Sequence, residues 1–487
     1  MQKLTDSVLY SAFKRKDPNF DGRFFVGVSS TGIYCRPVCK AKQPKPENCT
    51  FYGTAAEAEQ AGFRPCLLCK PELAPGKAPV DAKSSLAYRA ARFIDENCAN
   101  VSGVEEIADN MGCSDRHLRR AFITEFNVSP ARYLQTCRLL LAKNLLTSTN
   151  LSVIEIAMTA GFGSLRCFND LFNKRYKLAP TGLRRQVMNS KVKNDNIKLS
   201  LGYRPPYNWQ QLLDFLSLRA IPGVEVVKDG EYLRTAYFRV HDEQDVYGCV
   251  RVGNNPQNNT LVVTIEASLL PALPQVLARV RRLFDLYCDP DSVFDTLKSM
   301  NNIKSGLCTR GTRLPGSFNT FEMAVRAILG QQITVKAART LAARLVETYG
   351  TPIKTEIEGL THTFPQPKDL ISTGDALVNR LGQLGIIGTR TKAIIELALA
   401  FINNEIDFNF SIDAEQEIKK LVSIPGIGSW TAHYIAMRAM GWPDAFLEAD
   451  VGIKKALAPR TVKEISALAE NWRPWRSYAV INLWNSL

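Results

Sequence analysis

Residues 421–450 read LVSIPGIGSWTAHYIAMRAMGWPDAFLEAD. An apolar helix end runs into Pro425-Gly426-Ile427-Gly428, and a second helix begins near Ser429. Glycines here suit a tight hairpin between helices, where the backbone takes angles closed to larger residues and approaches a neighbour closely. The first amides of the second helix then lack partners and point outward, a ready site for a phosphate. Pro425, Gly426 and Gly428 are thus candidate contacts to a nucleic-acid backbone. Further on, Asp450 closes the loop PDAFLEAD and leads directly into the apolar run Val451-Gly452-Ile453. A backbone clamp followed by one carboxylate points to chemistry on a nucleotide.

The chain around this stretch has 487 residues, enough for about three or four domains. Its composition is that of a soluble globular protein with material for several cores. Lys14-Arg15-Lys16-Asp17 break up the N-terminal stretch, and no run approaches the ~20 apolar residues of a membrane span. A cytoplasmic protein with no membrane partner is expected. The net charge of +14 is uneven: residues 1–200 hold 30 Lys and Arg against 18 Asp and Glu, while the rest is nearly balanced. A basic first part fits either a solvated surface or nucleic-acid binding, and charge alone does not decide between them.

Twelve cysteines are present, and residues 309–487 hold none of them. Cys35-x3-Cys39 and Cys66-x2-Cys69 are two close pairs. In a chain lacking a secretion signal, such pairs indicate metal or reactive sites before disulfides, and four thiolates at these spacings suit one tetrahedral zinc. The spacing is silent on purpose, and a purely structural zinc knuckle is the plain alternative. Cys49 reads as structural or incidental. The stretches DPNFDGRFFVGVSSTGIYCRPVC and AGFRPCLLC resemble the N-terminal domain of the Ada family of alkylation-repair proteins. That resemblance implies that Cys35 is both a zinc ligand, with Cys39, Cys66 and Cys69, and a suicidal acceptor of methyl groups from methyl phosphotriesters in DNA. Zinc keeps a thiolate deprotonated at neutral pH. Four thiolates on Zn2+ carry a formal charge of −2, which methylation of one reduces to −1, so DNA binding should strengthen irreversibly and in a salt-sensitive way.

The Pro- and Ala-rich segment Pro71–Ser84 reads as a linker. Beyond it, Ile107, Ala108, Gly112, Leu118 and Phe122 recur at an offset of 49 as Ile156, Ala157, Gly161, Cys167 and Leu171. A short apolar helix, a glycine turn and a second helix form the helix-turn-helix pattern, here present twice. IEIAMTAGFGSLRCFNDLFNKRYKLAPTGLRR resembles the AraC family of transcription activators, and VEEIADNMGCSDRHLRRAFITEFNVSPARYL fits it too. Two such units can enter successive major grooves about one helical turn apart. Asp115, Arg116, Arg119 and Arg120, then Ser164, Leu165, Arg166 and Asn169, are candidates to face promoter DNA, whereas His117 reads as a helix-surface residue. RNA polymerase is the partner an activator of this kind implies.

Asn189–Lys198 is polar and charged and reads as a second linker. LRTAYFRV and TLVVTIEAS read as strands, ALPQVLARVRRLFDL as an amphipathic helix, and Cys249, Cys288 and Cys308 as packed thiols. YRPPYNWQQLLDFLSLRAIPGVE resembles the opening domain of 3-methyladenine DNA glycosylase II, the AlkA type. RLPGSFNTFEMAVRAILGQQITVKAARTLAARL reads as one long helical stretch, and another helix follows near Arg390–Phe401. With the opening stretch and NWRPWRSYAVINLWNSL, these resemble the helix-hairpin-helix DNA glycosylase superfamily, AlkA type.

The resemblance implies removal of alkylated purines from double-stranded DNA. Alkylation at N3 or N7 leaves a cationic base that departs readily, so a carboxylate is needed chiefly to stabilise the oxocarbenium-like sugar. By family position that residue is Asp450. Trp430, Tyr434 and Trp484 match the family's pocket aromatics, whose faces suit a cationic base; core packing is the alternative for each, and for Trp484 it weighs equally. Superfamily members that also nick DNA carry a lysine nucleophile where this chain has Trp430, so base removal alone is expected. Without cysteines near the end, no iron–sulfur cluster is expected. The AlkA type places an apolar wedge where this chain has Gln332; a glutamine there can fill the gap left by a flipped base and hydrogen-bond its orphaned partner. None of the twelve cysteines is followed by His, so the Pro-Cys-His-Arg motif of O6-methylguanine repair is absent.

The expected fold is multidomain: a small α+β zinc domain (1–80), an all-α double helix-turn-helix domain (84–188), an α+β domain with an antiparallel sheet (200–308) and an all-α helix-hairpin-helix domain (309–487). A monomer is expected. The rival readings are a damage-sensing regulator whose glycosylase domain only binds DNA, and an enzyme whose helix-turn-helix units merely hold DNA.

Overall fold

The computed structural model describes residues 5–76, 86–187, 196–240, 244–406, 408 and 413–487. The linker residues 77–84 and 189–195 lie outside them. The chain groups into two compact units: Met1–Pro205 with Arg239–Val246 and Asn255–Ala278, and Pro206–Phe238 with Tyr247–Asn254 and Arg279–Leu487. Small zinc-domain sheet, helix-turn-helix region, larger sheet and helical C-terminal region follow one another, as the expected fold class requires. Among the described residues no helix is long and apolar enough to cross a membrane.

In the first unit, β1 (Phe25–Val28) is buried along its whole length. It pairs antiparallel with β2 (Ile33–Cys35) and β3 (Cys49–Tyr52), and β4 (Arg64–Pro65) lies parallel to β2. Gly27 allows the crowding, because a Cβ there would sit 2.8 Å from the Tyr52 ring and 2.9 Å from that of Phe63. Helix Asp6–Arg15 supplies Ala12 and Phe13 to a core with Phe24, Val26 and Val28.

The helix-turn-helix pairs are Val104–Asn110 with Asp115–Phe126 and Val153–Thr159 with Leu165–Tyr176. Ser114 and Ser164 cap the second helix of each pair, accepting from the amides of His117 and Cys167. The buried stripes are Leu118, Phe122 and Phe126 in one copy and Phe168, Phe172 and Tyr176 in the other. This corrects the repeat: the offset is 49 only up to the turn glycines and 50 beyond them. The second turn holds an extra residue, with Phe162 buried, so Cys167 points outward rather than replacing Leu118.

The zinc domain and these helices share buried polar contacts. The Glu59 carboxylate accepts from the hydroxyls of Tyr34 at 3.2 Å, Thr136 at 3.1 Å and Tyr176 at 3.5 Å. Burial pushes its pKa up to about 7 despite those donors. Lys143 and Glu72 form a second buried pair, at 2.6 Å. Glu72 belongs to the turn Pro71–Leu73, so the start of the segment read as a linker is packed structure. The segment read as a second linker likewise ends inside a strand, β5 (Asn196–Gly202).

A five-stranded sheet is completed by β6 (Glu225–Lys228), β7 (Glu231–Arg239), β8 (Asp245–Asn255) and β9 (Thr260–Glu266), in the order β5-β9-β8-β7-β6. Both β5–β9 and β6–β7 are antiparallel. β8 has no counterpart among the strands expected from sequence. Cys249, Cys288 and Cys308 are buried, as expected.

In the second unit the long helical stretch consists of two helices, Thr320–Leu329 and Val335–Tyr349. The break falls at Gly330–Thr334, where Thr334 caps the second helix and Gln332 takes a left-handed φ of +53°. Helix Thr389–Ile402 precedes the hairpin helices Ala414–Ser423 and Ser429–Arg438. Between the latter, Gly426 has a φ of +92°, and a Cβ on it would lie 2.8 Å from the Thr389 carbonyl oxygen. Both the angle and the close approach therefore require glycine. Ile427 is buried, which anchors the loop and leaves Pro425, Gly426 and Gly428 exposed.

Two candidate reactive centres

The register of the first sheet assembles the cysteine cluster. Tyr34 pairs with Pro65 across β2 and β4, so Cys35 and Cys66 leave adjacent strand ends side by side. Cys39 and Cys69 follow within their short spacings, and the four sulfurs lie within 4.8 Å of one another. Cys35, Cys39 and Cys66 are buried and Cys69 half-buried. The Arg36 amide donates to the Cys69 sulfur at 3.3 Å, and the Arg36 guanidinium pairs with buried Asp21 and donates to the Cys69 carbonyl at 3.0 Å. Cys49 lies outside the cluster and donates to the Lys45 carbonyl. Hydrogen bonds with the sulfurs of Cys39, Cys66 and Cys69, and then burial, push the Cys35 thiol far up. Four cysteine sulfurs this close together form a donor set that fits one zinc ion. Cys35, Cys39, Cys66 and Cys69 are the zinc ligands of this chain.

The second centre gathers residues far apart in sequence. Asp450 caps helix Val451–Ala456, with its Oδ1 accepting from the Ile453 amide at 3.0 Å. The Trp484 indole donates to the same oxygen at 2.9 Å, and the Trp430 indole donates to Oδ2 at 3.2 Å. Three neutral donors thus fix one half-buried carboxylate. Trp430 and Tyr434, one turn apart on helix Ser429–Arg438, have nearly parallel rings with centroids 5.2 Å apart. Trp484 lies 6.2 Å from Tyr434, at 54°.

Phe215 completes the aromatic lining, its ring 6.3 Å from that of Trp484 and 18° from parallel. Sequence reasoning missed it. It lies within the AlkA-like opening stretch, in a helix whose apolar residues read simply as core. The Arg219 guanidinium sits 3.7 Å from the Phe215 ring centroid, and Arg438 sits 4.8 Å from it and donates to the Tyr434 hydroxyl at 2.9 Å. Burial raises the Tyr434 hydroxyl, but Arg438 and Arg219 outweigh it and bring the group below the ordinary phenol value. Burial also lowers Arg438, to about 10.

Other residues singled out from sequence lie at the surface. Gln332 is exposed at the tip of its turn. Arg116, Arg119 and Arg120 are exposed on one helix, with Arg119 bonded to Asp115 at 2.9 Å. Arg166 is 93% exposed on the matching helix, and Ser164 is exposed with its hydroxyl engaged in capping.

Comparison with known proteins agrees with this division. Family models match in four places: the metal binding domain of Ada at residues 8–72, a helix-turn-helix domain at 107–186, the AlkA N-terminal domain at 198–319, and the HhH-GPD superfamily of base excision DNA repair proteins at 325–464. A Mycobacterium tuberculosis protein named as a probable bifunctional transcriptional activator/DNA repair enzyme AlkA is 33% identical over 98% of this chain and 96% of its own. The Escherichia coli DNA-3-methyladenine glycosylase 2 is 36% identical over 58% of this chain and 96% of its own. The Bacillus subtilis bifunctional transcriptional activator/DNA repair enzyme AdaA is 31% identical over 40% of this chain and 90% of its own. The chain therefore belongs to the family of bifunctional transcriptional activator/DNA repair proteins that join an Ada-type metal-binding and helix-turn-helix part to an AlkA-type HhH-GPD part.

Proposed function

We propose that this protein answers DNA alkylation at two places, the phosphate backbone and the base. The observation that carries the second activity is the Asp450 carboxylate, held by two indole N–H groups among four aromatic rings. An alkylated purine rotated out of the duplex places its cationic ring against the aromatic faces of Trp430, Tyr434 and Trp484, an attraction worth ~2 kcal/mol when desolvated. The C1′–N bond breaks with its electron pair passing to the base, which leaves neutral. Asp450 stabilises the positive sugar, and water adds to C1′ and gives up a proton to solvent. Indole donors suit this task because they orient the carboxylate without cancelling its charge. Trp430 stands where a nicking enzyme has its lysine, so the reaction is base removal alone. Gln332 enters the stack, and Pro425, Gly426 and Gly428 hold the backbone through the free amides of helix Ser429–Arg438.

At the first centre the Cys35 sulfur attacks the methyl carbon of a methyl phosphotriester. The methyl C–O bond breaks, its electron pair stays on the phosphate oxygen, and Cys35 becomes an uncharged thioether. Cys35, Cys39, Cys66 and Cys69 would hold a zinc ion, which when bound would keep the attacking sulfur deprotonated. The loss of one negative charge beside DNA strengthens binding, and Arg116, Arg119, Arg120, Ser164 and Arg166 then read promoter DNA for RNA polymerase. We place the protein in the cytoplasm as a monomer, with the zinc domain at 1–80, the helix-turn-helix domain at 84–188 and the glycosylase parts at 200–308 and 309–487.

The experiment is base release from methylated DNA. Wild type should liberate 3-methyladenine, and Asp450→Asn should lose that activity by about 10²–10³-fold. No release by either protein would sink the reading.

A further inference from the structure

The side chain of Gln331, beside the exposed Gln332, is turned into the protein. Its carboxamide nitrogen donates to the Gly426 carbonyl at 2.8 Å and to the Thr431 hydroxyl at 3.0 Å. Its own backbone carbonyl accepts from the Arg390 guanidinium. Arg390 belongs to helix Thr389–Ile402, the element on which Gly426 packs too closely for any Cβ. Three segments meet at this one residue: the turn that carries Gln332, the hairpin loop, and the helix beneath both. Both hydrogens of the amide are used, one on each side of the hairpin's bend. Gln332 itself holds a left-handed backbone, φ +53°, and is exposed.

We infer that Gln331 is a positioning residue that fixes the distance from the backbone-gripping hairpin to the group entering the base stack. The inference rests on the glycosylase reading and deepens it. A hairpin that grips a phosphate defines one origin on the strand, and the gap left by the departing base lies at a set distance from it. Slack of about 1 Å between grip and wedge can cost on the order of 10²-fold in a reaction that depends on alignment. The hydrogen bonds of Gln331 remove that slack without touching DNA. Gln331→Met keeps the length of the side chain and removes both donors, whereas Thr431→Ala removes one acceptor only.

The test uses the full-length protein, a duplex with one 7-methylguanine opposite cytosine, and the same lesion opposite an abasic site, where less unstacking is needed. Gln331→Met should slow single-turnover release from the paired duplex about 10-fold and leave release opposite the abasic site within about twofold of wild type, a split of the size two hydrogen bonds can give. Thr431→Ala should show the same split, smaller, and the double variant should be no worse than Gln331→Met, since the contact that Thr431→Ala cuts is one of the two that Gln331→Met already removes. Equal loss on both substrates, or no loss on either, overturns the inference. A second readout separates it from the parent reading: 2-aminopurine placed beside the lesion, in an Asp450→Asn background, reports unstacking without excision. Fluorescence that rises when Gln331 is intact and fails to rise once Gln331→Met is added upholds positioning even if wild type releases no base. An equal rise in both overturns positioning even if wild type is an efficient glycosylase.

Discussion

Cys35 and Asp450 meet the same chemical damage with opposite constructions. Cys35 sits among three further sulfurs that cannot all be anionic without a cation, and the proposed transfer consumes it. Asp450 sits among neutral donors, two indoles and an amide, and the proposed hydrolysis leaves it unchanged. A nucleophile used once can rely on a metal to set its charge, because the change in charge is itself the signal. A carboxylate that must act repeatedly needs fixed geometry and an undiminished charge. The difference suits a sensor in one part and a catalyst in the other.

The comparison can be broken at either end. Cys35→Ala should abolish transfer of labelled methyl groups from methylated DNA and weaken zinc retention, while 3-methyladenine release continues at the wild-type rate. Persistent transfer would mean another acceptor, and lost base release would mean that the two centres are not independent. Asp450→Asn should do the reverse, with methyl uptake intact and excision reduced about 10²–10³-fold.

A smaller effect concerns what supports Cys35. Its neighbour Tyr34 donates to Glu59, whose carboxyl burial pushes up to about 7 from an unperturbed 4.5. A carboxyl raised on folding favours the fold below its unfolded value, and that contribution is lost as pH rises through the folded value. Stability of the first unit should therefore fall between about pH 4.5 and pH 7 on this account, by roughly 3 kcal/mol. Glu59→Gln should flatten that slope in denaturant titrations, leaving the variant more stable than wild type at pH 8 and little changed at pH 4. A steeper slope in the variant would show that Glu59 folds ionised. Smallest is Trp484→Phe, which keeps an aromatic face and removes one donor to Asp450. It should slow excision by ~1–1.5 kcal/mol, about 10-fold, with binding to undamaged DNA unchanged.

The two centres also differ in how far they could be read from sequence. The zinc cluster was legible because its ligands come in pairs three and four residues apart, a spacing with few other uses. Only the meeting of the pairs needed the parallel β2–β4 register. The second centre draws on residues 215, 430, 434, 450 and 484, and apart from the helical spacing of 430 and 434 no local pattern links them. Resemblance supplied most of these, but not Phe215, which is apolar in an apolar helix. Nor could it supply the indole bonds to Asp450, which depend on side-chain direction. Local turns were equally hard to read. The helical stretch 313–345 gave no place for the turn at Gly330–Thr334, where Thr334 caps a new helix and Gln332 turns left-handed. One extra residue beside Gly161 shifts the second recognition helix from an offset of 49 to 50, and Phe162 at the insertion is buried.

The most direct test of two separate centres is one time course with two readouts. Excess methylated DNA is incubated with wild-type protein, and methyl groups on the protein and free alkylated base are counted together. Methyl uptake should rise to one per chain and stop, while base release continues at constant rate through many turnovers. Base release that halts when methyl uptake saturates, or methyl uptake that passes one per chain, would contradict the account.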